Sequence, residues 1–369
     1  TRWGHMFFKN NIYTCIDIGS YALKAVQIKK KGTKSFKILD TKRQKLPRGT
    51  IIDGIIKDEL LLAAEIKNIF DQFKKRTDYI ITAVPSNELL IRNIEIPKME
   101  KKEIKEALKW EADEQIPYPV ENAAIDFFKV EEGEEKVKYL ISAVKKNIID
   151  SFLSPFERND LEVSVVNIQP MALISLLDYQ NQCDNIVAVI DIGFSAAQVT
   201  IASKNDIFLS RTVDTGGDQF TNTLMEIQGE EYQTAEARKI KEGLAADKTE
   251  KDSQQEVLDT VELDMALGED NRLNALASTL STEIIRSFDY FSTRNNNKEI
   301  SKVFITGGGA RLKGLKELLA EDLNKEIFRI DPFKNTNYDS ANKLVNEEYK
   351  NDFSVAVGLG VSEVMADEN

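Results

Sequence analysis

The chain has 369 residues, a net charge of −12 and a pI near 5.0, with 42% hydrophobic and 30% charged residues. This length predicts two or more domains, and the composition is ordinary for a globular protein. The acidity argues against nucleic acid as the main partner, no apolar run approaches the roughly 18–20 residues that span a bilayer, and no secretory signal is visible.

The opening residues 1–6 (TRWGHM) are interpreted as an expression-tag remnant and are excluded from fold reasoning. His5, the only histidine, would then be foreign, and no native histidine would be left to act as a base or a metal ligand. Cys15 and Cys183 are the only cysteines. A disulfide or a metal site is not expected from them, and Cys15 is expected to pack in the core.

The tetrapeptide Ile-Asp-Ile-Gly occurs at residues 16–19 and again at 190–193, each time inside a strand-like run. Such a strand carries an aspartate and then a glycine into a tight turn whose amides can donate to phosphate oxygens. The aspartate can act on a phosphate only through water or a bridging cation such as Mg²⁺. One copy alone would more often be a plain β-turn, but two predict related halves that grip one nucleotide. The candidates are Asp17, Gly19, Ser20, Asp191, Gly193 and Ser195.

Between the two copies, hydrophobic periodicity and proline positions predict alternating helices and strands. Residues 58–75 and 100–115 are predicted as helices, and Pro117 and Pro119 end the second one. Further elements are strands at 80–84, 89–96, 123–130, 137–144 and 161–167, a helix from Lys146 and a helix over 170–180.

The tetrapeptide NIQP, residues 167–170, lies where a strand ends and a helix begins. Gln169 would there face the cleft, where a water that attacks a γ-phosphate has to be oriented. A helix-capping or merely polar role for Gln169 is an equal alternative.

Beyond the second copy, residues 245–270 are acidic and weakly apolar, and we interpret them as a mobile insertion rather than a solvated helix. The other predicted elements are helices at 218–228, 234–243, 272–295 and 354–365 and a strand at 302–306.

Residues 303–310 (VFITGGGA) predict a strand, a glycine turn and a helix. The three glycines would let the backbone approach a base or ribose, although the spacing fits neither the Walker nor the Rossmann fingerprint. Residues 215–217 (TGG) are a weaker turn of the same kind. Glu236 and Lys239 lie three residues apart on one helical face. They form either a surface ion pair or a pair that reaches the nucleoside.

The order and spacing of these elements resemble the actin-like ATPase superfamily over nearly the whole chain. Residues 17–19 and 191–193 are similar to its two phosphate loops, 307–309 to its adenosine motif and 167–170 to its first connecting helix. Residues 235–243 (AEARKIKEG) resemble the A-E-x-x-K-x-x-x-G helix of the FtsA branch. The implied fold is α/β, with two related lobes around a nucleotide cleft.

This resemblance implies that the cleft binds ATP or ADP with Mg²⁺, and that Asp17 and Asp191 reach the metal through water. The implied nucleotide-binding residues are Asp17, Gly19, Ser20, Tyr21, Lys24, Asp191, Gly193, Phe194, Ser195, Gly216, Gly217, Glu236, Lys239, Gly307, Gly308, Gly309 and Arg311.

Residues 85–128 resemble the PilM proteins of type IV pilus machines more closely. They contain a strand ending in Ile-Pro, a Glu/Lys-rich helix with Trp-Glu-Ala, then Ile-Pro-Tyr-Pro and an acidic-apolar strand. In that family the region forms a small subdomain that replaces the usual insertion of actin. With residues 1–6 set aside as the tag remnant, the implied units are 7–85 (first lobe core), 86–160 (small subdomain), 161–185 (return to the first lobe and connecting helix), 186–215 (second lobe core), 216–300 (helical subdomain with the 245–270 insertion) and 301–369 (second lobe core, adenosine motif and final connecting helix).

Membership of that family would imply a cytoplasmic adaptor that binds the short N-terminal peptide of the membrane protein PilN beside the small subdomain. Other pilus assembly components and self-association are left open as partners. Residues 121–128, within the 1–165 half, are the approximate peptide region, although they could equally be ordinary core strands. Residues 354–369 end acidic, whereas FtsA-like proteins dock on membranes through an apolar-basic helix. Attachment to the inner face of the membrane is therefore expected only through a partner.

Enzymatic activity is expected to be at most slow ATP hydrolysis. Gln169 can orient a water but cannot accept its proton, whereas the chaperone branch of the superfamily carries Glu at the corresponding position. An FtsA-like filament protein is the first alternative. A small-molecule kinase is a more distant one, because the chain has no identifiable catalytic aspartate beyond the repeated pair.

Overall fold

The computed structural model describes residues 11–32, 35–244, 269–338 and 347–366. The proposed tag remnant with His5 lies outside these ranges, as does the acidic insertion except for its last two residues.

Within the described ranges, the predicted strands and helices occur in the predicted order, and the structure adds strands at Ile51–Ile52, Ile55–Ile56, Asp206–Val213, Ile327–Arg329 and Asn337–Tyr338. The strands are β1 (Ile12–Ile18), β2 (Ala22–Gly32), β3 (Ser35–Lys45), β4 (Ile51–Ile52), β5 (Ile55–Ile56), β6 (Ile80–Val84), β7 (Leu90–Pro97), β8 (Ala123–Glu132), β9 (Lys136–Lys145), β10 (Val163–Ile168), β11 (Val187–Ile192), β12 (Ala197–Ser203), β13 (Asp206–Val213), β14 (Lys302–Thr306), β15 (Ile327–Arg329) and β16 (Asn337–Tyr338). The helices are α1 (Glu59–Asp71), α2 (Lys101–Gln115), α3 (Lys146–Glu157), α4 (Gln169–Tyr179), α5 (Gly217–Gln228), α6 (Tyr232–Glu242), α7 (Glu269–Arg294), α8 (Leu315–Asp322) and α9 (Ser354–Met365).

The helix predicted over residues 58–75 is shorter in the structure and covers Glu59–Asp71. It begins at Asp58, whose side chain accepts a hydrogen bond from the amide of Leu61 at 2.9 Å, as an N-cap residue does. The helix ends before residue 75: Gln72 is its C-cap, and Phe73, which follows, packs into the core.

A six-stranded sheet in the order β10-β6-β1-β2-β3-β16, with the helices on it, forms what we call the first lobe. The sheet is buried on both faces near β1, which explains its nearly continuous apolar sequence. Cys15 packs on one face with Val26, and Ile16 packs on the other with Leu23. Cys15 is fully buried and unbridged, as the sequence predicts.

The second lobe is built on a five-stranded sheet in the order β13-β12-β11-β14-β15. Its β11–β12 hairpin repeats the β1–β2 hairpin, with antiparallel pairing and a parallel strand on the other side of the Asp-containing strand. In the first hairpin Asp17 lies opposite Lys24, and in the second Asp191 lies opposite Gln198. The repeated tetrapeptide therefore occupies the same place in two related sheets.

A three-stranded sheet, β7-β9-β8, carries α2 on one face and forms what we call the small subdomain. It has its own apolar core, in which Ile94 and Ile141 pack against Leu108 of α2. Ile91 joins it to the core of the first lobe, and Asn93 donates to the carbonyl of Ile207 in β13 at 2.9 Å. The small subdomain thus touches both lobes.

Helix α9 crosses α4 in the centre of the molecule. A Cβ on Gly358 would lie 2.2 Å from the carbonyl oxygen of Ala172, so only glycine permits this approach. The apolar side chains of α9, from Val355 to Val364, join the cluster that contains Cys15 of β1 and Val187 of β11. The last described helix therefore completes the core of the first lobe. None of the described helices combines the length and apolar character needed to cross a membrane.

Candidate functional site

A cavity of about 1000 Å³ lies between the two lobes. Both Ile-Asp-Ile-Gly turns, the glycine turn after β14 and the start of α4 face it. Of the residues predicted from sequence, all but Gly216 line it. Gly216 lies directly behind the wall, where a Cβ would come within 2.4 Å of the carbonyl oxygen of Phe194. The lining residues among them are Asp17, Gly19, Ser20, Tyr21, Lys24, Gln169, Asp191, Gly193, Phe194, Ser195, Gly217, Glu236, Lys239, Gly307, Gly308, Gly309 and Arg311.

The first hairpin holds its aspartate in an ion pair. Lys24 Nζ lies 2.8 Å from Asp17 Oδ2, and the two residues are opposite each other in the β1–β2 register. Burial alone would lower the pKa of Lys24, but the charge and hydrogen bond of Asp17, together with the charges of Asp352 and Asp191, outweigh burial and raise that pKa. Gly19 closes the turn with its amide 3.2 Å from the carbonyl of Ala22. Lys24 is therefore a fixed cation at the floor of the cavity.

Gln169 begins α4 and faces the cavity. Ser86 Oγ donates to its Oε1 at 2.7 Å, and its Nε2 points to Asp17 Oδ1 at 3.4 Å. The side chain makes no helix-capping bond at the start of α4. A carboxamide held in this way is orientated, but it has no basic atom to accept a proton from water.

The second hairpin carries its aspartate without an ion-pair partner among the described residues. Gln198, which lies opposite Asp191, donates instead to Ser210 Oγ at 2.7 Å. Burial, followed by the charge of Asp17, raises the pKa of Asp191 to about 6. Gly307 has a φ of +84° and lies so close to Asp191 that a Cβ would be 2.3 Å from Oδ1, so any other residue there would displace the carboxylate.

The wall formed by α5 and α6 contains the pair predicted from helical spacing. Lys239 Nζ lies 2.6 Å from Glu236 Oε2, 2.8 Å from the Gly217 carbonyl and 2.7 Å from Thr221 Oγ1. Burial lowers the pKa of Lys239, partly offset by Glu236. The ion pair exists, but its side chains are only 11% and 16% exposed and belong to the cavity wall rather than to an outer surface.

Sequence reasoning missed several cavity-lining residues, of which Arg43, Tyr349 and Asp352 form one connected group. Arg43 Nε donates to Asp352 Oδ2 at 3.1 Å, and the centre of the Tyr349 ring lies 4.5 Å from the Arg43 guanidinium carbon and 4.7 Å from that of Arg311. Arg43 and Asp352 are 309 positions apart, so no local pattern could pair them. The single signal that the sequence offered for this group was Asp352, which lies just before the last predicted helix.

The donor set suits a hard cation that keeps most of its water. Asp17 and Asp191 face one cavity and offer oxygen ligands, as Mg²⁺ prefers. In the described part of the chain, no group of three or more His, Cys, Asp or Glu side chains is placed to hold a metal. The two carboxylates fit a Mg²⁺ ion that brings water and shares the oxygens of a bound ligand.

Comparison with known proteins shows which family the chain matches and which structures share its fold. The model of a family described as type IV pilus assembly protein PilM matches residues 15–364. A structure of a PilM–PilN type IV pilus biogenesis complex is similar with a TM-score of 0.79 and 22% identity, covering 96% of this chain and 98% of that one.

Two further structures share the fold at lower similarity. The ethanolamine utilization protein EutJ from Carboxydothermus hydrogenoformans has a TM-score of 0.56 and 12% identity, covering 97% of this chain and 91% of that one. MreB5 of Spiroplasma citri bound to AMPPNP has a TM-score of 0.53 and 14% identity, with 98% of each chain covered. The two-lobed α/β fold is that of the actin-like ATPases, as the sequence predicts.

Proposed function

Because the chain belongs to the type IV pilus assembly protein PilM family, we propose that it is a nucleotide-binding adaptor of the pilus machinery. In this proposal it binds ATP with Mg²⁺ in the cleft and holds the cytoplasmic N-terminal peptide of PilN at the small subdomain. The observation that carries the nucleotide part is the convergence of both repeated turns, Gln169 and the glycine turn on one cavity.

Each part of the cavity has a task in this proposal. The two turns, which carry Ser20 and Ser195 after Gly19 and Gly193, face the phosphates, and Lys24 supplies a positive charge beside them. Asp17 and Asp191 hold the hydrated Mg²⁺. Glu236, Lys239 and Arg311 line the nucleoside side together with Gly307–Gly309. The two turns bind the nucleotide, and Gln169 orients a water. Hydrolysis is slow because Gln169 cannot accept the proton of that water.

Gly308 offers a direct test of nucleotide binding. A Cβ built there meets nothing closer than 3.7 Å, so a Gly308→Val side chain extends into the cavity without a backbone clash. Mg²⁺-ATP at about 100 times its Kd should stabilise the wild type by roughly 2.7 kcal/mol in thermal unfolding. Gly308→Val should lose most of this gain.

The matched control for Gly308→Val is Gly32→Val, because a Cβ at Gly32 meets nothing within 4 Å and Gly32 lies outside the cavity lining. Gly32→Val should keep the full nucleotide-dependent gain. A wild type that gains nothing from Mg²⁺-ATP, or a Gly308→Val variant that gains as much as wild type, contradicts the nucleotide site.

Two exposed sheet edges are the candidate peptide sites. β10 is an edge strand of the first-lobe sheet, and β8 is an edge strand of the small subdomain. Val165 of β10 and Val130 of β8 each pack on the large apolar cluster that both lobes share. Val166 and Phe128 are exposed by 37% and 41%. We infer that an extended peptide pairs with such an edge and covers these side chains, as peptides do in β-augmentation.

Calorimetric titration of a PilN-type N-terminal peptide tests these two edges. Apolar burial and main-chain hydrogen bonds should resist salt, whereas a purely electrostatic contact would be screened. Phe128→Asp and Val166→Asp should each weaken binding. The control is Trp110→Ala, since Trp110 is 75% exposed on α2 of the same subdomain but away from both edges.

The outcome of that titration also decides between the adaptor and its alternatives. Binding that is lost in Phe128→Asp and kept in Trp110→Ala supports a cytoplasmic adaptor recruited to the membrane by PilN. If no peptide binds at low or high salt, with or without Mg²⁺-ATP, the adaptor proposal is wrong and FtsA-like polymerisation becomes the first reading.

A further inference from the structure

One arginine of the first lobe is bound by a set of side chains on the second lobe. Arg48 lies in the turn between β3 and β4, and its Nη2 donates to Asn222 Oδ1 at 2.9 Å and lies 3.3 Å from Asp218 Oδ2. Its guanidinium carbon lies 4.0 Å from the centre of the Tyr232 ring. The contact joins the turn after β3 to α5 and α6, across the cleft.

The three residues that receive Arg48 are themselves held in place. Tyr232 Oη donates to Asp218 Oδ1 at 2.8 Å, and Asn222 Nδ2 donates to Asp218 Oδ2 at 3.0 Å. The carboxylate, the amide and the ring therefore present one acceptor surface of fixed shape, which suits a planar guanidinium. We call Asp218, Asn222 and Tyr232 the arginine receptor.

The receptor lies at the mouth of the cavity but outside its lining. Gly217 and Gln219, the neighbours of Asp218, line the cavity, as do Ile51 and Asp53, which follow Arg48 in the chain. Arg48, Asp218, Asn222 and Tyr232 are not among the lining residues. The contact therefore links the two lobes beside the cavity without being part of its lining.

Exposure makes the contact breakable. The side chains of Arg48 and Asp218 are 49% and 21% exposed, whereas Asp352, which binds Arg43 at the cavity floor, is only 3% exposed. Solvent-exposed ion pairs and cation–π contacts are weak and sensitive to salt. The contact of Arg48 with Asp218 should therefore open while the contact of Arg43 with Asp352 stays closed.

We propose that Arg48 and its receptor form a gate that must open before a nucleotide enters or leaves the cleft. The inference rests on the proposed nucleotide binding and adds a control of its rate. Since the gate stabilises the closed cleft equally with and without nucleotide, its removal speeds entry and exit by the same factor. The affinity, which is set by the ratio of the dissociation and association rate constants, does not change.

Stopped-flow fluorescence with mant-ATP and Mg²⁺ measures both rates. Arg48→Ala should raise the association and dissociation rate constants together by roughly three- to tenfold, the range that one exposed ion pair and one cation–π contact can supply. Arg48→Lys, which keeps the charge but loses the planar fork, should fall between wild type and Arg48→Ala. Raising the salt should accelerate the wild type toward Arg48→Ala and leave the variant nearly unchanged.

The matched control is Lys67→Ala. Lys67 forms an exposed ion pair with Asp71 within α1, 3.2 Å apart, so it has the same chemistry but joins nothing across the cleft. Its rates should equal those of the wild type. A rise in dissociation alone with weaker affinity would make Arg48 a ligand-stabilising contact and overturn the gate, and so would unchanged rates in Arg48→Ala.

A nucleotide-free measurement separates the gate from the proposed function. Spin labels at Asn68→Cys on α1 and Glu226→Cys on α5 report the separation of the lobes, because both native cysteines are buried. Arg48→Ala should lengthen or broaden the distance distribution without any ligand. If wild type does not bind mant-ATP, nucleotide binding fails while this distance still tests the gate. An unchanged distance overturns the gate alone.

Discussion

The two Ile-Asp-Ile-Gly hairpins have the same tetrapeptide and the same strand register, yet their electrostatics differ. The residue opposite the aspartate decides this: it is Lys24 in the first hairpin and Gln198 in the second. Asp17 consequently has a cation at 2.8 Å, whereas the pKa of Asp191 is raised to about 6 by burial and by Asp17. A repeated motif thus locates both sides of a site but does not give them equal charge.

The difference suggests a division of work within the proposed Mg²⁺ site. Asp17 shares its charge with Lys24 and is held by Gln169, while Asp191 has no compensating cation at bonding distance. A divalent ion would therefore stabilise the charged form of Asp191 most, because a nearby positive charge favours the ionised carboxylate. Metal binding and deprotonation of Asp191 should be linked.

The largest expected effect is that of Asp17→Ala. It removes one metal carboxylate and leaves the part-buried Lys24 without its closest anion, so the ligand-free protein should lose about 2–3 kcal/mol of unfolding free energy. The stabilisation by Mg²⁺-ATP should also disappear. Denaturant unfolding with and without Mg²⁺-ATP checks both. Asp71→Ala, at an exposed ion pair in α1, is the control and should change neither by much.

Asp191→Asn should act on the ligand-free protein in the opposite direction. A carboxyl whose folded pKa is near 6, above its ordinary value of 3.8, stabilises the folded state at low pH and loses that contribution as pH rises from about 4 to 6. The variant lacks this fall and should be about 1–2 kcal/mol more stable than wild type above pH 7. It should nevertheless lose the gain from Mg²⁺-ATP. Equal pH profiles for the two proteins would show that Asp191 is not the titrating group.

Gln198→Lys would give the second hairpin the residue pattern of the first. A cation opposite Asp191 should lower the pKa of that carboxyl and flatten the pH dependence between about 4 and 6. The variant also loses two hydrogen bonds, to Ser210 and from Thr212, which should cost roughly 1–2 kcal/mol at all pH values. Gln198→Met, which loses the same bonds without adding a charge, is the control. A pH profile that is identical in the two variants would contradict the role of the opposite residue.

The smallest effect is expected at Gln169. Wild-type turnover of ATP should lie well below the roughly 1–10³ s⁻¹ of ordinary enzymes, because Gln169 can position a water but cannot take its proton. Gln169→Ala should lower this slow rate by about tenfold or less and leave the affinity for Mg²⁺-ATP near that of wild type. Single-turnover phosphate release measures it. Rapid steady-state release from the wild type would contradict the assignment.

The sequence predicted the elements and the convergence of the motifs because both depend on local pattern. Strand alternation and glycine turns place Asp17, Asp191 and Gly307 at the carboxyl ends of their strands, where the cavity lies. The roles of Arg43 and Arg48 could not be predicted in this way, since each depends on a partner more than 150 positions away. For Glu236 and Lys239, spacing gave the ion pair, but only the packing of α6 against α5 shows that it is buried in the wall.

The place of α9 has a consequence for how the two lobes unfold. Val355 to Val364 of this helix belong to one apolar cluster that also contains Cys15 of the first lobe and Val187 and Phe304 of the second. Since removal of the helix would expose apolar surface on both sheets, we expect the two lobes to unfold together in one cooperative transition rather than as independent units.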